Sequence, residues 1–319
     1  MSDRERLTSP FTADPNLQPL LQPGDRVRVI SPSGGLRQVE PFQQGIEIWQ
    51  AQGYRVELSS GFDDQWGYLA GTDAARCHQL LEALADETCS AILCSRGGYG
   101  GARLLETLSS SSLAKFQAIN LNNNPHRSKF LIGFSDVTAL LWGLRQQVSG
   151  IHGPVLTTLA QEPDWSIQRL FQGLSTGTWA ALKGSGWGGG QGQGWLLPGN
   201  LTVATHLLGT PYQPDFTGAI LAFEDVNEEP YRVDRMLTQW RMLGVFHQVR
   251  GIALGRFSQW QKTTSPNSFT MAAVWRDRLG DLGMPIVSGL PFGHDGANGA
   301  LPVGAVVHLD GDQGVLSFL

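Results

Sequence analysis

Short apolar segments alternate with helical patterns through the first half of the chain, and this alternation constrains the fold more than any other feature. Between the apolar segments, apolar residues recur at spacings of three and four, as on the buried face of a helix. Strands separated by helices are typical of an α/β fold with a doubly wound parallel sheet, whose ligands bind at the carboxyl ends of the strands. The predicted strands are residues 26–31, 54–58, 91–95 and 130–132, and the predicted helices are residues 39–52, the segment after Thr72 and residues 102–108.

A glycine-rich stretch, residues 184–194, separates this region from the rest of the chain. Seven of its eleven residues are glycine, so it has little preferred conformation and is predicted to be a linker or a mobile loop. We therefore predict a loosely held arm over residues 1–20, an α/β domain over 21–183 and a strand-rich α+β domain over 195–319. In that C-terminal domain, strands are predicted at 219–224, 251–255, 285–288, 305–309 and 315–318, with helices at 200–208, 231–243 and 271–282.

Charge and composition narrow the classes of partner. The formal net charge is −5 and the basic residues are scattered, so nucleic acid and anionic membranes are not expected partners and a small-molecule ligand is favoured. The N-terminal segment lacks the apolar stretch of a signal peptide, and the chain has no run of about 18 apolar residues, so we predict a cytoplasmic protein. The three cysteines, Cys77, Cys89 and Cys94, lie in apolar segments without Cys-x-x-Cys spacing, which predicts buried thiols rather than disulfides or a zinc site.

A strand-turn-helix unit at residues 129–147 contains the first candidate for catalysis. Its apolar strand is followed by the polar pair Ser135 and Asp136, and a helical pattern begins at Val137. A serine in this turn has its hydroxyl at the end of a strand and beside the unpaired N–H groups of a helix start, where negative charge is stabilised. Ser135 is therefore a candidate nucleophile, and the alternative is that it only caps the helix.

A serine nucleophile requires a base, and the sequence offers His294 and, less favourably, His152. His294 lies in the turn-rich segment 290–296 after a predicted strand, where its side chain is free to point into a cleft. His152 lies in a predicted loop after the helix that follows Ser135. The five other histidines are predicted to be structural.

A carboxylate is needed to orient such a base, and Glu224 at the end of a buried strand is a candidate. Asp225, Glu228 and Glu229 are close in sequence, so spacing alone leaves the choice open. Glu228 and Glu229 precede a predicted helix and are better placed to interact with its start.

Acyl transfer also needs donors for the developing oxyanion, and two backbone positions qualify. They are the Asp136 N–H at the helix start and the Gly97–Gly98 loop after a neighbouring strand. A phosphate loop is disfavoured there because Arg103 stands where a glycine is required, and the G-x-S-x-G elbow of α/β-hydrolases is excluded by Val137. Arg96, in the same glycine-rich loop, is a candidate to pair with a substrate carboxylate.

Six stretches of the chain together match the ordered motifs of a known family. They are GYLAGTDAAR from Gly67, AILCSRGGYGGARLL from Ala91, IGFSDVTALL from Ile132, Gly199-Asn200-Leu201, LAFEDVNEEPYRVDRML from Leu221 and GLPFGHDGANGALPVGA from Gly289. In these motifs the chain resembles the LD-carboxypeptidases of the muramoyl-tetrapeptide carboxypeptidase type, a family of serine peptidases that includes the microcin C self-immunity proteins. The resemblance covers about residues 23–309. A loop at 119–127 and the stretch 184–194 look longer than is usual in the family, which leaves substrate preference open.

The resemblance implies a catalytic triad with Ser135 as nucleophile, Glu224 as orienting carboxylate and His294 as general base. It also implies that the backbone N–H groups of Gly98 and Asp136 form the oxyanion hole and that no metal or cofactor is needed. The expected reaction is hydrolysis of the bond between the L-centre of meso-diaminopimelate or lysine and the terminal D-alanine of a murein tetrapeptide. Such an enzyme would serve peptidoglycan recycling, and the family suggests a homodimer.

Two alternatives stay open at this point. The same triad could act on aminoacyl-nucleotide conjugates, as in a microcin-immunity-like amidase or peptidase. The chain could also be a non-catalytic protein that binds a small ligand, in which case Ser135 would only be a cap.

Overall fold

The computed structural model describes residues 20–108, 129–259 and 268–319. The predicted arm, apart from residue 20, therefore lies outside the described residues, as does the loop predicted at 119–127. Within the described part of the chain, no helix is long and apolar enough to cross a membrane.

The N-terminal sheet has six strands, of which five are parallel. Its strand order is β12-β5-β4-β3-β1-β2, and the short edge strand β12 is antiparallel to β5. The strands are β1 Arg26–Ile30, β2 Arg55–Leu58, β3 Cys89–Cys94, β4 Lys129–Gly133, β5 Val148–His152 and β12 Leu301–Pro302.

Helices cover both faces of this sheet. Ile92 and Leu131 belong to the core shared with α2, α3 and α4, whereas Leu93 and Ile132 belong to the core shared with α1, α5 and α6. This arrangement confirms the predicted doubly wound parallel sheet. The helices are α1 Val39–Ala51, α2 Asp73–Ala85, α3 Gly101–Thr107, α4 Thr138–Gly143, the single turn α5 Leu156–Leu159, and α6 Asp164–Thr176.

Two strands of this sheet, β5 and β12, were not predicted, and β5 changes the position of a candidate residue. His152 is the last residue of β5 rather than part of a loop, as predicted. The strand contains Ser149 and Gly150 and so lacks an apolar run, yet all five of its residues are buried. Gly150 is required because a Cβ there would lie 2.9 Å from a methyl group of Val303.

The C-terminal sheet has eight strands in the order β6-β14-β13-β8-β9-β10-β11-β7. Its central strands β8 to β11 are parallel and the strands outside them are antiparallel, which confirms a strand-rich second half. The strands are β6 Leu182–Lys183, β7 Ser185–Trp187, β8 Gln191–Asn200, β9 Ala219–Val226, β10 Gly251–Ser258, β11 Ile286–Ser288, β13 Val306–Asp310 and β14 Val315–Phe318. The helices of this half are α7 Leu201–Leu207, α8 Pro230–Met242 and α9 Met271–Leu279.

The glycine-rich stretch predicted as a linker forms β7 and the first part of β8. Its glycines allow close approach of neighbouring backbone. A Cβ at Gly186 would lie 2.2 Å from the carbonyl oxygen of Gly311, and one at Gly194 would lie 2.2 Å from that of Gly218. The absence of side chains here therefore serves strand packing, and the prediction of an unstructured linker is wrong.

The two halves meet at the turn that follows β4. The Trp142 indole N–H donates to the carbonyl of Pro198 at 2.8 Å, and the Asn200 N–H donates to the Thr138 hydroxyl at 2.9 Å. These bonds join α4 to the carboxyl end of β8. They bring the Ser135 turn against the edge of the C-terminal sheet where β8 and β9 end.

Candidate active site

Ser135 has a strained backbone and a hydroxyl that caps no helix. It lies in the short 3₁₀ turn Ser135–Val137 with φ 62°, a left-handed conformation that costs a non-glycine residue about 1–3 kcal/mol. Neither this turn nor α4 has a side-chain cap hydrogen bond. The capping alternative therefore has no supporting contact, and the half-buried hydroxyl lies where β4 ends.

His294 and Glu224 are in direct contact. Nδ1 of His294 lies 2.6 Å from Oε2 of Glu224, whose side chain is fully buried, while the His294 side chain is 16% exposed. The imidazole ring packs on Phe134, with ring centroids 4.7 Å apart. Because Phe134 immediately precedes Ser135, this contact places the imidazole beside the nucleophile turn.

The charge of Glu224 determines how His294 titrates. Burial lowers the pKa of His294, but the charge of Glu224 and its hydrogen bond to the ring raise it, with smaller contributions from Asp225 and Asp295. The net effect is a pKa above the ordinary value for histidine. The imidazole is therefore a stronger base than a free one.

Asp225 forms hydrogen bonds with Asn200 and Thr202 and not with His294, which distinguishes it from Glu224. It accepts hydrogen bonds from the backbone N–H and hydroxyl of Thr202, both at 2.8 Å, at the start of α7. Asn200 donates to Asp225 at 2.9 Å and more weakly to Glu224 at 3.4 Å. Burial and the charge of Glu224 raise the pKa of Asp225 to about 6. Asp225 thus stabilises the start of α7 next to Glu224.

The glycine loop after β3 lies against Ser135. A Cβ at Gly97 would be 3.1 Å from the Ser135 hydroxyl oxygen, so only glycine allows this approach. The side chain of Asp136 connects the loop to the turn, since it accepts the Gly101 N–H at 2.7 Å and the Ser33 hydroxyl at 2.5 Å. Burial raises the pKa of Asp136, against the effect of these bonds. The backbone N–H groups of Gly98 and Asp136 are thereby held on two linked segments.

A cleft of about 390 Å³ adjoins the glycine loop. Arg96 is half-buried in it, donates to the carbonyl of Gly35 at 3.0 Å, and has a pKa lowered by burial and by the charge of Arg37. Among the described residues, neither arginine forms an ion pair. The lining residues are Gly34, Arg37, Tyr68, Arg96, Gly98 and Tyr99.

His152, the rival base, is fully buried beneath the site. Its ring packs edge-on against Phe134 and Phe292, with centroids 6.0 and 6.3 Å apart. Neither ring nitrogen has a hydrogen-bond partner within the described ranges, and burial lowers the pKa of His152 to about 4. A fully buried ring in this position is poorly placed to receive a proton from the Ser135 hydroxyl.

The remaining site predictions concern thiols and metals. Cys77, Cys89 and Cys94 are free and buried, as predicted. In the part of the chain that the structure describes, no group of three or more His, Cys, Asp or Glu side chains could hold a metal ion.

Sequence reasoning missed several residues that complete the site. Ser33 follows β1 of the N-terminal sheet and Asn200 ends β8 of the C-terminal sheet, positions that could have identified them, but their carboxylate partners are distant in sequence. Arg37 belongs to none of the motifs identified in the sequence, and only its position in the lining of the cleft shows that it is close to the site.

The two-sheet α/β fold, with Ser135 beside the contact between His294 and Glu224, is typical of a class of two-domain α/β hydrolases. Matches to family models identify the family within this class. Residues 27–153 match the LD-carboxypeptidase N-terminal domain and residues 193–309 match the LD-carboxypeptidase C-terminal domain. The chain belongs to the LD-carboxypeptidase family. It is a serine-type carboxypeptidase, so the alternative of a non-catalytic binding protein is wrong.

Relatives of known name span nearly the whole chain. A Synechocystis sp. protein, slr1534, is 53% identical over 95% of this chain and 97% of its own. The murein tetrapeptide carboxypeptidase of Pseudomonas aeruginosa is 29% identical over 95% of this chain and 99% of its own. The crystal structure of muramoyltetrapeptide carboxypeptidase from Oxalobacter formigenes superposes with a TM-score of 0.78 at 29% identity, covering 91% of this chain and 97% of the other.

A microcin-related protein shares the fold. The structure of MccF in complex with glutamyl sulfamoyl guanosine superposes with a TM-score of 0.81 at 20% identity, over 94% of this chain and 97% of MccF.

Proposed function

We propose that this protein hydrolyses the L,D-peptide bond that releases terminal D-alanine from murein tetrapeptide, a step of peptidoglycan recycling. The observation that carries the proposal is the 2.6 Å contact between His294 and Glu224, with the imidazole packed on the residue before Ser135. The relative from Pseudomonas aeruginosa, which is named for this substrate, supports it.

In the proposed mechanism, the two ring nitrogens of His294 have different tasks. The Glu224 carboxylate accepts a hydrogen bond from Nδ1–H, which fixes the tautomer and leaves Nε2 free as the base. Nε2 takes the hydroxyl proton as Ser135 attacks the scissile carbonyl, and the resulting imidazolium is stabilised by Glu224. The same proton then passes to the leaving amine of D-alanine, and water releases the acyl-enzyme by the reverse sequence.

The oxyanion and the substrate carboxylate need donors on either side of Ser135. The N–H groups of Asp136 and Gly98 are proposed for the oxyanion, where each donor typically contributes about 10²- to 10³-fold in kcat. Arg96 is proposed to pair with the carboxylate of the terminal D-alanine. Its half-buried guanidinium lies in the cleft beside Gly98, and burial strengthens such a pair.

The substrate experiment tests three peptides that differ at the terminal residue. The site must orient the D-methyl group and the free carboxylate together, so inverting that centre leaves a buried polar group unpaired. We expect D-alanine release from the tetrapeptide and a rate lower by about 10²-fold or more for the analogue ending in L-alanine. The pentapeptide should also be poor because its carboxylate lies one residue farther from Arg96. Mass spectrometry of the products measures all three, and comparable rates would contradict an LD-carboxypeptidase.

A second candidate function is hydrolysis of aminoacyl-nucleotide conjugates. The likeness in fold to MccF favours it, since that structure contains glutamyl sulfamoyl guanosine. The same mass-spectrometric assay distinguishes the two candidates if an aminoacyl-nucleotide conjugate is run beside the tetrapeptide.

The pH dependence follows from the pKa of His294. Only the neutral imidazole can accept the serine proton, so kcat/KM should fall as the pH drops through this pKa. Because Glu224 raises it, the midpoint should lie above the ordinary value of 6.5. His152 should not contribute to this limb, since its pKa is lowered to about 4.

In Glu224→Gln, burial still lowers the pKa of His294 but the carboxylate charge is gone, so the midpoint of any residual activity should move to lower pH. A wild-type midpoint below 6, or one unchanged in the variant, would contradict the assignment.

Two further properties belong to the proposal. We infer a cytoplasmic location, as predicted from the sequence pattern, and a homodimer, as the resemblance implies. Cell fractionation and light scattering on the purified protein test them.

A further inference from the structure

The segment that carries His294 connects the two sheets. It leaves β11 in the C-terminal sheet and enters β12 at the edge of the N-terminal sheet. Residues 289–300 between them form neither helix nor strand. The position of the imidazole therefore depends on individual hydrogen bonds that this loop makes with its surroundings.

Arg256 on β10 holds the loop from the C-terminal side. Its backbone N–H donates to the carbonyl of Phe292 at 2.8 Å, and its Nε donates to Asp295 at 2.9 Å. Its guanidinium also donates to the carbonyl of Ala297. These bonds attach the loop to the sheet that also carries Glu224.

Glu162 holds the loop from the N-terminal side. It lies between α5 and α6, and its Oε2 accepts the backbone N–H of Asn298 at 2.7 Å and the Ser166 hydroxyl at 2.8 Å. Asn298 is 1% exposed, and its Oδ1 accepts the N–H of Gly293 at 3.2 Å. A continuous series of hydrogen bonds thus runs from Glu162 through Asn298 to the residue directly before His294.

The environment of Glu162 is costly for a carboxylate. Burial raises the pKa of Glu162, while the bonds from Asn298 and Ser166 and the nearby charge of Arg256 lower it, and the net shift is upward. Burying a carboxylate costs free energy, and Glu162 is partly buried where it contacts a loop from the other half of the molecule. In this it differs from an ordinary surface glutamate.

We propose that Glu162 is a positioning residue that holds the His294 loop across the junction of the two halves, so that the imidazole faces Ser135. The inference rests on the triad of the proposed function. Glu162 itself touches neither substrate nor the reacting atoms, so its contribution passes through Asn298 and the backbone of Gly293.

Glu162→Ala removes the acceptor and leaves the Asn298 N–H unpaired. A displacement of about 1 Å at a catalytic group can cost about 10²-fold, so we expect kcat to fall by about 10- to 100-fold with KM changed little. Glu162→Gln can keep its amide oxygen in the position of Oε2, where it still accepts both the Asn298 N–H and the Ser166 hydroxyl. That variant should keep kcat within about threefold of wild type because both hydrogen bonds can persist.

Ser166→Ala is the matched control. It removes the bond between Glu162 and the first turn of α6 but leaves the bond to Asn298. We expect its kcat to stay near that of wild type. A loss equal to that of Glu162→Ala would mean that the helix start, not the loop, is what Glu162 supports, and would overturn the inference.

The experiment measures kcat and KM for murein tetrapeptide, the thermal unfolding midpoint, and the rate at which a small fluorophosphonate labels Ser135. Labelling needs the base but not the peptide, so it still tests Glu162 if the tetrapeptide proves not to be the substrate. We expect kcat and labelling to fall together in Glu162→Ala and to return in Glu162→Gln, at similar unfolding midpoints. Wild-type labelling in Glu162→Ala, or equal losses in both variants, would overturn the proposal, as would absence of Ser135 labelling in the wild type.

If Glu162→Ala does not fold, Asn298→Ala removes the next hydrogen bond of the series, the one to Gly293. Labelling of Asn298→Ala at the wild-type rate would also overturn the proposal.

Discussion

Ser135→Ala should lower kcat by on the order of 10⁶-fold, since removing the nucleophile of a serine triad leaves only binding and the oxyanion donors. The fold should be retained because one half-buried hydroxyl is lost and no core volume. Product formation from murein tetrapeptide, measured with enough enzyme to detect the residual rate, tests the prediction. Residual activity near a tenth of wild type would contradict a serine mechanism.

Ser135→Gly is the control for backbone strain. It removes the same hydroxyl, but glycine adopts the left-handed φ of 62° without steric cost. It should be as inactive as Ser135→Ala and at least as stable toward thermal unfolding. If both variants are inactive and well folded, the loss belongs to the hydroxyl and not to a rearranged turn.

Glu224→Gln should lower kcat by about 10⁴-fold while the site keeps its shape. The amide is isosteric with the carboxylate, but it can present an N–H to Nδ1 of His294, which favours the tautomer that cannot accept the serine proton. Steady-state kinetics with the tetrapeptide measures the loss, which should fall on kcat more than on KM.

Asp295→Asn is the matched control for charge. Asp295 adjoins His294 in sequence and also raises its pKa, but it is exposed and bonded to Arg256. We expect this variant to keep kcat within about tenfold, because an exposed charge near the ring has a small effect. Equal losses in Glu224→Gln and Asp295→Asn would mean that net charge, not the Nδ1 contact, supports the base.

The sequence is sufficient for the architecture where local pattern and burial agree. The predicted strands 26–31 and 130–132 correspond to β1 and β4, and Thr72 caps α2 by accepting the Ala75 N–H at 3.2 Å. The prediction omits α6, although Ile167, Leu170, Phe171 and Leu174 have the spacing of a buried helix face.

Other elements depend on contacts that no local window contains. β5 is buried by tertiary neighbours, and the glycines of β7 and β8 are explained only by the strands that approach them. The short β12 is two residues long and is recognisable only by its pairing with His152 and Ile151.

For the site, sequence identifies candidates and the structure identifies partners. Ser135 is recognisable at the end of a strand, and His294 in its turn-rich loop. The choice of Glu224 over Asp225 is decided by which carboxylate contacts the imidazole. Glu224 and His294 are 70 positions apart along the chain, so no local pattern reveals this contact. Arg37 lines the cleft and Glu162 accepts a hydrogen bond from Asn298, and neither position belongs to a motif that can be recognised in the sequence.

The most direct measurement is peptide mapping by mass spectrometry after labelling the wild-type protein with a fluorophosphonate. We expect one adduct, on the peptide that contains Ser135, formed more slowly in the presence of murein tetrapeptide and almost absent in His294→Ala. An adduct elsewhere, or unchanged turnover of tetrapeptide by an enzyme whose Ser135 is fully labelled, would contradict the triad of Ser135, Glu224 and His294.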